Sequence, residues 1–538
     1  VSEIRFLPIQ VVAPPAEAGG KADGRITLAA SIGQTTHRDS FAFRVFGEDG
    51  PGKAEIAVID PDGATTKMLA SLGYTTRAWN GAAAALVVVG RNALKQDRAV
   101  AARLEPYVRG GGRVMICAQD PEWMARALGW RMSLHVSRRA FPVNSPVTLG
   151  IDADDLRDWT GSSTLIDAYP EYLAGINLKE KGRDQSGPQA SQTRSRSVGT
   201  YVLGNEGDQP YAGWHWGNRG AVTSAAVEKP HRSGWRPLLE CEFDLAYTPL
   251  MELDYGSGRL VVCTLDLEDH VALDPAAQRM AGRIVDYALH WPLSPRVSKV
   301  VYLGGAAGAA WLDRIGVSYE RSDTLSASAG LLLVGPDAKT DAAALRTYLE
   351  QGGKALVLPC SQADGPLGAT FKPAAAPFAG SLSVPDWPEA RGLSASDLRW
   401  RTYLDTAPWV LSAGADIGAD GLIGRKVIGK GVAIFCQVDP DRFPADTKTY
   451  FRYTRWRSTR AVAQLLANLG ASFLVDGRVF HPLDTRARKP DGVSQMKVGK
   501  EPKPPEPKPE GGGALECYHP DYRSDFPMGD NPYRYYRW

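Results

Sequence analysis

The sequence lacks any marked excess of one charge: 62 Lys and Arg stand against 60 Asp and Glu, a formal net charge of +2. A polyanion-binding protein carries a clear basic footprint, so ordinary nucleic-acid binding is excluded. Long apolar runs are missing too. The longest lies near residues 82–89, far short of the roughly 20 residues that span a bilayer. The six cysteines form no CxxC pair and the eight histidines are scattered, so no metal site is expected. A cofactor loop is also missing. Gly304, Gly305 and Gly308 follow a strand and open a helix, but they lack the Lys-Ser/Thr of a phosphate loop and the GxGxxG order. A tight turn accounts for them, and no cofactor is expected. The opening Val1-Ser2-Glu3-Ile4-Arg5 has neither an initiator Met nor a basic-then-apolar leader, and reads as the start of a processed or excised piece.

What is present is globular. Hydrophobic residues make up 43% and charged residues 23%, near the average for folded domains. A chain of 538 residues suggests three or four domains. The 56 Gly and 38 Pro imply many turns and at least one linker, and 14 Trp with 20 Tyr exceed what a minimal core needs.

Residues 1–50 read as β, with strands near 25–30 and 40–46; the second places Phe41, Phe43 and Val45 on one face. So short a segment cannot bury that face alone, so it reads as the end of a β-sandwich whose body lies elsewhere. From residue 51 strands alternate with helices, the pattern of a parallel sheet covered on both faces. The same succession returns from residue 296. Gly73, Gly90, Gly112 and Cys117 of the first series match Gly316, Gly335, Gly353 and Cys360 of the second, with offsets between 241 and 245 residues. So small a drift across so many elements points to an internal duplication. The expected organisation is an α/β chain of two tandem flavodoxin-like domains, 51–295 and 296–476. The first carries a β-rich insertion at about 160–250 with strands near 200–203, 211–216 and 238–247. Residues 477–538 form a proline-rich linker and an aromatic tail, expected to dock on a folded surface.

Ligands of open parallel sheets sit beyond the carboxyl ends of the strands. Cys117, Asp266 and Glu268 land there in the first copy, and Cys360, Asp439 and Asp441 in the second. Cys117 with Cys263, and Cys360 with Cys436, are bridgeable if their strands are neighbours; four buried thiols are the simpler reading, and the Cα separation decides. Carboxylate pairs suited to glycoside hydrolysis exist, namely Glu240 with Glu242, Asp152 with Asp154 and Glu268 with Asp269, but none lies in a diagnostic motif. Trp214 and Trp216 flank His215 and share a strand face. With Trp235 they are the candidate carbohydrate-stacking rings, against the alternative of an aromatic plug over the sheet.

Both copies resemble the class I glutamine amidotransferase fold. That resemblance implies a nucleophilic Cys after a strand, completed by a His and a Glu after a later strand. Here Ile116-Cys117-Ala118-Gln119 and Pro359-Cys360-Ser361-Gln362 lack the flanking glycines, and Asp266 and Asp439 stand where the His belongs. A carboxylate with a reference pKa near 4 is a poor base for a thiol, so both triads read as degenerate. More widely, the run Ser40–Phe46, the stretch Phe243-Asp244-Leu245-Ala246-Tyr247-Thr248, the helix from Arg455 and the closing Tyr533-Arg534-Tyr535-Tyr536-Arg537-Trp538 resemble the C-terminal half of large bacterial family 2 glycoside hydrolases, β-galactosidase-like. The resemblance implies a catalytic barrel outside this sequence, either before Val1 or on another chain, and a periplasmic or extracellular location. No catalytic residue is carried over. The expected function is therefore a non-catalytic architectural and glycan-contacting region of a carbohydrate-active enzyme. Its expected partners are carbohydrate, a catalytic glycosidase domain or chain, and further copies of itself, a homo-oligomer. The alternatives are an active glycoside hydrolase using its own cleft carboxylates, and a purely structural assembly protein.

Overall fold

The computed structural model describes residues 10, 12–47, 50, 52–97, 99–133, 137–165, 219–294, 296–339, 341–404, 407–443 and 449–482. The expected strands at 200–203 and 211–216, Trp214, Trp216, the proline-rich linker and the aromatic tail lie outside the described residues.

Strands β1 (Lys21–Ile32) and β2 (Thr35–Phe46) form a long antiparallel hairpin that pairs with no other strand among the described residues. The register puts Ala22, Ile26, Phe41, Phe43 and Val45 on one face. The Phe43 ring lies across Gly24, where a Cβ would come within 2.3 Å of it. The base of the hairpin is fixed by ions. Lys21 and Arg44 both bind Asp152 and Asp155, while Arg279 donates to Gly20 O at 2.9 Å and lies over the Phe46 ring.

The next strands are β3 (Glu55–Ile59), β4 (Thr75–Ala78), β5 (Val87–Val89) and β6 (Arg113–Ile116), then the short β7 (Met132–Ser133) and β8 (Ala140–Pro142). After these come β9 (Ala226–Glu228), β10 (Arg236–Pro237), β11 (Leu239–Cys241), β12 (Tyr247–Thr248), β13 (Leu250–Tyr255) and β14 (Gly258–Cys263). The first large sheet has the order β10-β13-β14-β6-β5-β3-β4. Its strands from β14 to β4 are parallel, and β13 and β10 are added antiparallel at one edge. The sheet is thus mixed, which corrects the expectation of a purely parallel one: the tight turn at Gly256 returns the chain beside β13 and leaves room only for antiparallel pairing. The described part of the β-rich insertion joins β7 and β8 in a five-stranded antiparallel layer, β7-β9-β12-β11-β8.

The second half contributes β15 (Val300–Leu303), β16 (Glu320–Ser322), β17 (Leu331–Val334), β18 (Lys354–Val357), β19 (Thr370–Pro373), β20 (Phe378–Gly380), β21 (Arg399–Leu404), β22 (Trp409–Ala413), β23 (Asp416–Gly418), β24 (Ile423–Ile428) and β25 (Gly431–Cys436). Its large sheet has the order β23-β24-β25-β18-β17-β15-β16. Strand for strand this is the order of the first sheet, with the same two antiparallel strands at the same edge.

Local devices repeat as well. In each half a helix, Ala99–Arg109 or Ala342–Glu350, ends against a glycine under a tyrosine ring: Tyr107 covers Gly112, and Tyr348 covers Gly353, leaving about 2.3 and 2.4 Å for a Cβ. The late strand then starts with a glycine against that turn. A Cβ on Gly258 would lie 2.2 Å from Val108 O, and one on Gly431 would lie 2.3 Å from Leu349 O.

The central strands are buried on both faces, which explains their continuous apolar runs. Ile56, Val88, Met115 and Val261 face the helix Pro275–His290, whereas Ala57, Val87, Val114 and Val262 face the helix Ala99–Arg109. Asp274 starts Pro275–His290 by accepting from Ala276 N and Ala277 N, with Pro275 in the first turn. The helix Thr449–Leu469 takes the corresponding place in the second half.

Candidate functional site

The carboxyl ends of the first sheet's parallel strands gather a compact polar group. Cys117 follows β6, held by its N–H to Val89 O at 2.9 Å, and its thiol adjoins the Thr65 hydroxyl. Thr65 donates to Glu268 at 2.8 Å and accepts from Arg91 N at 3.0 Å. Asp266 accepts from Ser224 at 2.6 Å, and that hydroxyl also meets Ser163 at 2.6 Å. Arg91 binds Asp269 at 2.8 Å, and Thr164 donates to Asp269 from both its backbone and its hydroxyl. Cys117 and Glu268 thus meet through Thr65, and Asp266 lies close enough to Glu268 to feel its charge. Thr65, the residue that joins thiol and carboxyl, has no signal of its own, because nothing in a helix-opening Thr distinguishes it in sequence.

Electrostatics decide what this group can do. Cys117 is 3% exposed. Burial pushes its thiol well above the ordinary value, and the Glu268 carboxyl adds to the shift. The nucleophile in thiol chemistry is the thiolate, and this environment suppresses it. Burial likewise raises Glu268, against the opposing Thr65 hydrogen bond. It pushes Asp266, 1% exposed, up to about 7, and the second Asp266 oxygen has no hydrogen-bond partner among the described residues. Among the described residues no imidazole hydrogen-bonds to the thiol. The nearest histidine in sequence to Glu268, His270, places Nδ1 on Thr160 O at 2.9 Å and packs its ring on Trp159.

The second half repeats the placement with different partners. Cys360 is 6% exposed and is bracketed by the Gln437 amide, which reaches its Sγ at 3.5 Å and accepts from its N–H at 3.3 Å. Burial raises this thiol too. Asp439 accepts from Trp311 Nε1 at 3.1 Å, and Asp441 pairs with Arg314 and Arg455. Cys117, Cys263, Cys360 and Cys436 are all free buried thiols.

The other candidates disperse. Glu240 is bound by Lys229, Ser394 and Ser396. Burial pushes Glu242 up to about 8. Asp152 is taken by Lys21 and Arg44, and Asp154 pairs with Arg139 and Arg157 at 3.7 and 3.9 Å. Trp235 is 3% exposed and packs edge-on against Trp130 at 5.6 Å. The expectation of a sugar-stacking ring at Trp235 is corrected on this ground, since a buried indole offers no free face. Among the described residues, no group of three or more His, Cys, Asp or Glu is placed to hold a metal ion, and no helix is long and apolar enough to cross a membrane.

A buried assembly of charge lies where the two halves meet. Glu252 accepts from Arg236 and Arg391 and from Tyr287 at 2.7 Å, with Arg259 at 3.4 Å. These cations hold its carboxyl far below the usual range despite burial. Nearby, Asp397 binds Arg460, and Lys229 of the first half reaches Ser394 and Ser396 of the second. The only sequence signal is an apolar strand, β13, carrying acids at alternate positions, Glu252 and Asp254.

Compared with known proteins, the chain matches no family model and no curated protein.

Proposed function

We propose that this chain is a non-catalytic architectural and glycan-contacting region of a carbohydrate-active enzyme resembling family 2 glycoside hydrolases. In this reading an ancestral module, flavodoxin-like and related to class I glutamine amidotransferases, was duplicated, and both copies kept the scaffold and lost the reactive centre. The region shapes a substrate cleft, holds a catalytic glycosidase domain or chain, and assembles with further copies of itself in the periplasm or outside the cell. One observation carries the reading: at the equivalent strand end of each half a cysteine is buried, its thiol pKa is raised, and its neighbours are Thr65 or Gln437 in place of an imidazole. The identical strand order of the two sheets supports the duplication. Trp214 and Trp216 remain the proposed sugar-stacking rings.

The test is direct. The 538-residue chain is incubated with aryl β-galactosides, plant polysaccharides and glutamine, and its binding to oligosaccharides is measured by calorimetry. Binding without turnover is expected. Turnover that disappears on alanine substitution at Glu240, Glu242, Asp266 or Glu268 would establish an active hydrolase and defeat the reading.

A further inference from the structure

At the seam between the halves lies a pocket of about 530 Å³. That falls within the range of roughly 300–1,000 Å³ typical of small-molecule sites, which favour domain interfaces. Its walls come from the end of the helix Ala99–Arg109, the β13–β14 turn, Arg296, and the segment 472–481. Both halves of the molecule therefore build it.

The charges in the wall are unequally satisfied. Asp254 is fully engaged, by Arg259 at 2.7 Å and by Arg236 at 3.4 Å. Asp476 accepts from Gly234 N at 2.7 Å and Phe473 N at 3.1 Å. Glu105 takes three groups at once, Arg109 at 2.6 Å, Tyr255 at 2.8 Å and His481 at 2.6 Å. The carboxylates thus have little capacity left for a ligand. The cations have more. Arg296 binds the carbonyls of Asp254 and Ala467, each at 2.7 Å, and reaches Gly234 O at 3.5 Å. Among the described residues it makes no direct ion pair; Asp476 and Asp254 act on its charge only through space, and with three of its five N–H donors on carbonyls two remain. Arg109 is 61% exposed; it uses one nitrogen on Glu105 and Tyr255, and its plane lies over the Tyr255 ring at 5.0 Å. Free guanidinium donors facing a cavity are the chemistry that recognises oxyanions.

We propose that this pocket binds a small ligand through an oxyanion group, a carboxylate or a phosphate, held between Arg296 and Arg109. The inference stands apart from the glycan-contacting reading and survives its failure. Because the walls belong to both halves, the ligand closes the seam and stabilises the molecule by mass action.

Isothermal calorimetry and thermal unfolding of the full chain test this with inorganic phosphate, D-glucuronate, D-glucose and chloride at matched ionic strength. Saturable binding and a rise in Tm are expected with phosphate, with glucuronate, or with both, and none with glucose or chloride. Response to phosphate alone identifies a phosphorylated ligand, and response to glucuronate alone a sugar acid. Arg296→Lys and Arg109→Gln should each weaken binding roughly tenfold, the loss of a charged hydrogen bond. Arg109 is exposed enough for its variant to fold even if Arg296→Lys does not. Neither anion binding saturably, or Arg109→Gln binding as tightly as the parent, overturns the proposal.

Discussion

The carboxyl of Asp266, closed in by Ser224 and Ser163, titrates at about 7 because burial penalises its charged form. In the unfolded chain it titrates near 4. The folded state therefore binds the extra proton between these values. The stability this contributes is fully present below about pH 4 and is lost as pH rises through 7. Asp266→Asn removes the titration while keeping an acceptor for Ser224. Between pH 5 and pH 8 the parent should lose stability relative to the variant, by a few kcal/mol at most, since each tenfold change in proton affinity between the folded and unfolded chain is worth about 1.4 kcal/mol. Urea unfolding at the two pH values measures the difference, and parallel pH profiles would show that this carboxyl enters the fold already ionised. The cysteines obey the same physics. Five described thiols are free and buried, and burial raises Cys117, Cys241 and Cys263. In a Cys517→Ser variant, which removes the one cysteine outside the described residues, a disulfide-exchange reagent at pH 8 should find no reactive thiol in the native protein and five in urea. A fast-reacting thiol in the native state would mean that one strand end is open to chemistry.

At the scale of elements, the two halves share a joint that tolerates no side chain. Gly431 starts β25 against the end of the helix Ala342–Glu350, and a Cβ there would lie 2.3 Å from both Leu349 O and Gly353 O. Backbone carbonyls that already bond within a helix end and a sheet cannot step aside as a flexible side chain would. Gly431→Ala, and its counterpart Gly258→Ala, should each cost about 2–3 kcal/mol. Gly282 lies inside the helix Pro275–His290 with nothing within 4 Å of its Cβ position. Gly282→Ala should therefore stabilise by about 0.5–1 kcal/mol. Denaturant midpoints of the three variants check the contrast, and equal effects would mean that the joint is not packed as described. Glycines at the helix ends, Gly112 and Gly353 among them, are also the sequence anchors on which the proposed duplication rests. Helix Pro275–His290, with its Asp-Pro start and apolar stripe, is legible to the residue. The fully buried strands are legible as apolar runs with small errors at their ends. Antiparallel β13 and β10 are not, because a strand buried on both faces has the same apolar pattern whichever way it runs. The hairpin reads in sequence as two short strands; the structure extends it through Lys21–Ile32 and Thr35–Phe46, whose polar, exposed ends carry no apolar signal. In the candidate site, the strand-end positions follow from topology, whereas Thr65 and Gln437 depend on side-chain placement that no spacing encodes.

At the scale of the molecule, the halves are joined by buried polar groups rather than by an apolar patch alone. Arg391, from the second half, binds Glu252 of the first at 2.8 Å and lies over the Trp291 ring. Asn468 accepts from Arg236 of the first half at 2.9 Å and donates to the carbonyls of Glu389 and Arg391, both at 2.8 Å. Arg236 thus touches both bodies, and a Cβ on Gly392 would strike its side chain at 2.3 Å. Such a network gives little net stability over an apolar packing, but removing one member strands the rest, at about 3–5 kcal/mol for a buried pair. Unfolding either half alone would strand them in the same way, so the halves should melt together. Calorimetry of the parent should show one transition, with calorimetric and van't Hoff enthalpies in agreement. The double variant Arg391→Ala, Asn468→Ala removes the second half's contribution to Glu252 and Arg236 while leaving each sheet intact, and it should split the endotherm in two. Arg425→Ala, which breaks an ion pair with Glu389 confined to the second half, should leave a single peak. If the double variant also melts in one step, the coupling resides in the contacts of the seam that it leaves intact, among them those of Lys229 and Glu240 with Ser394 and Ser396 and of Gly234 N with Asp476.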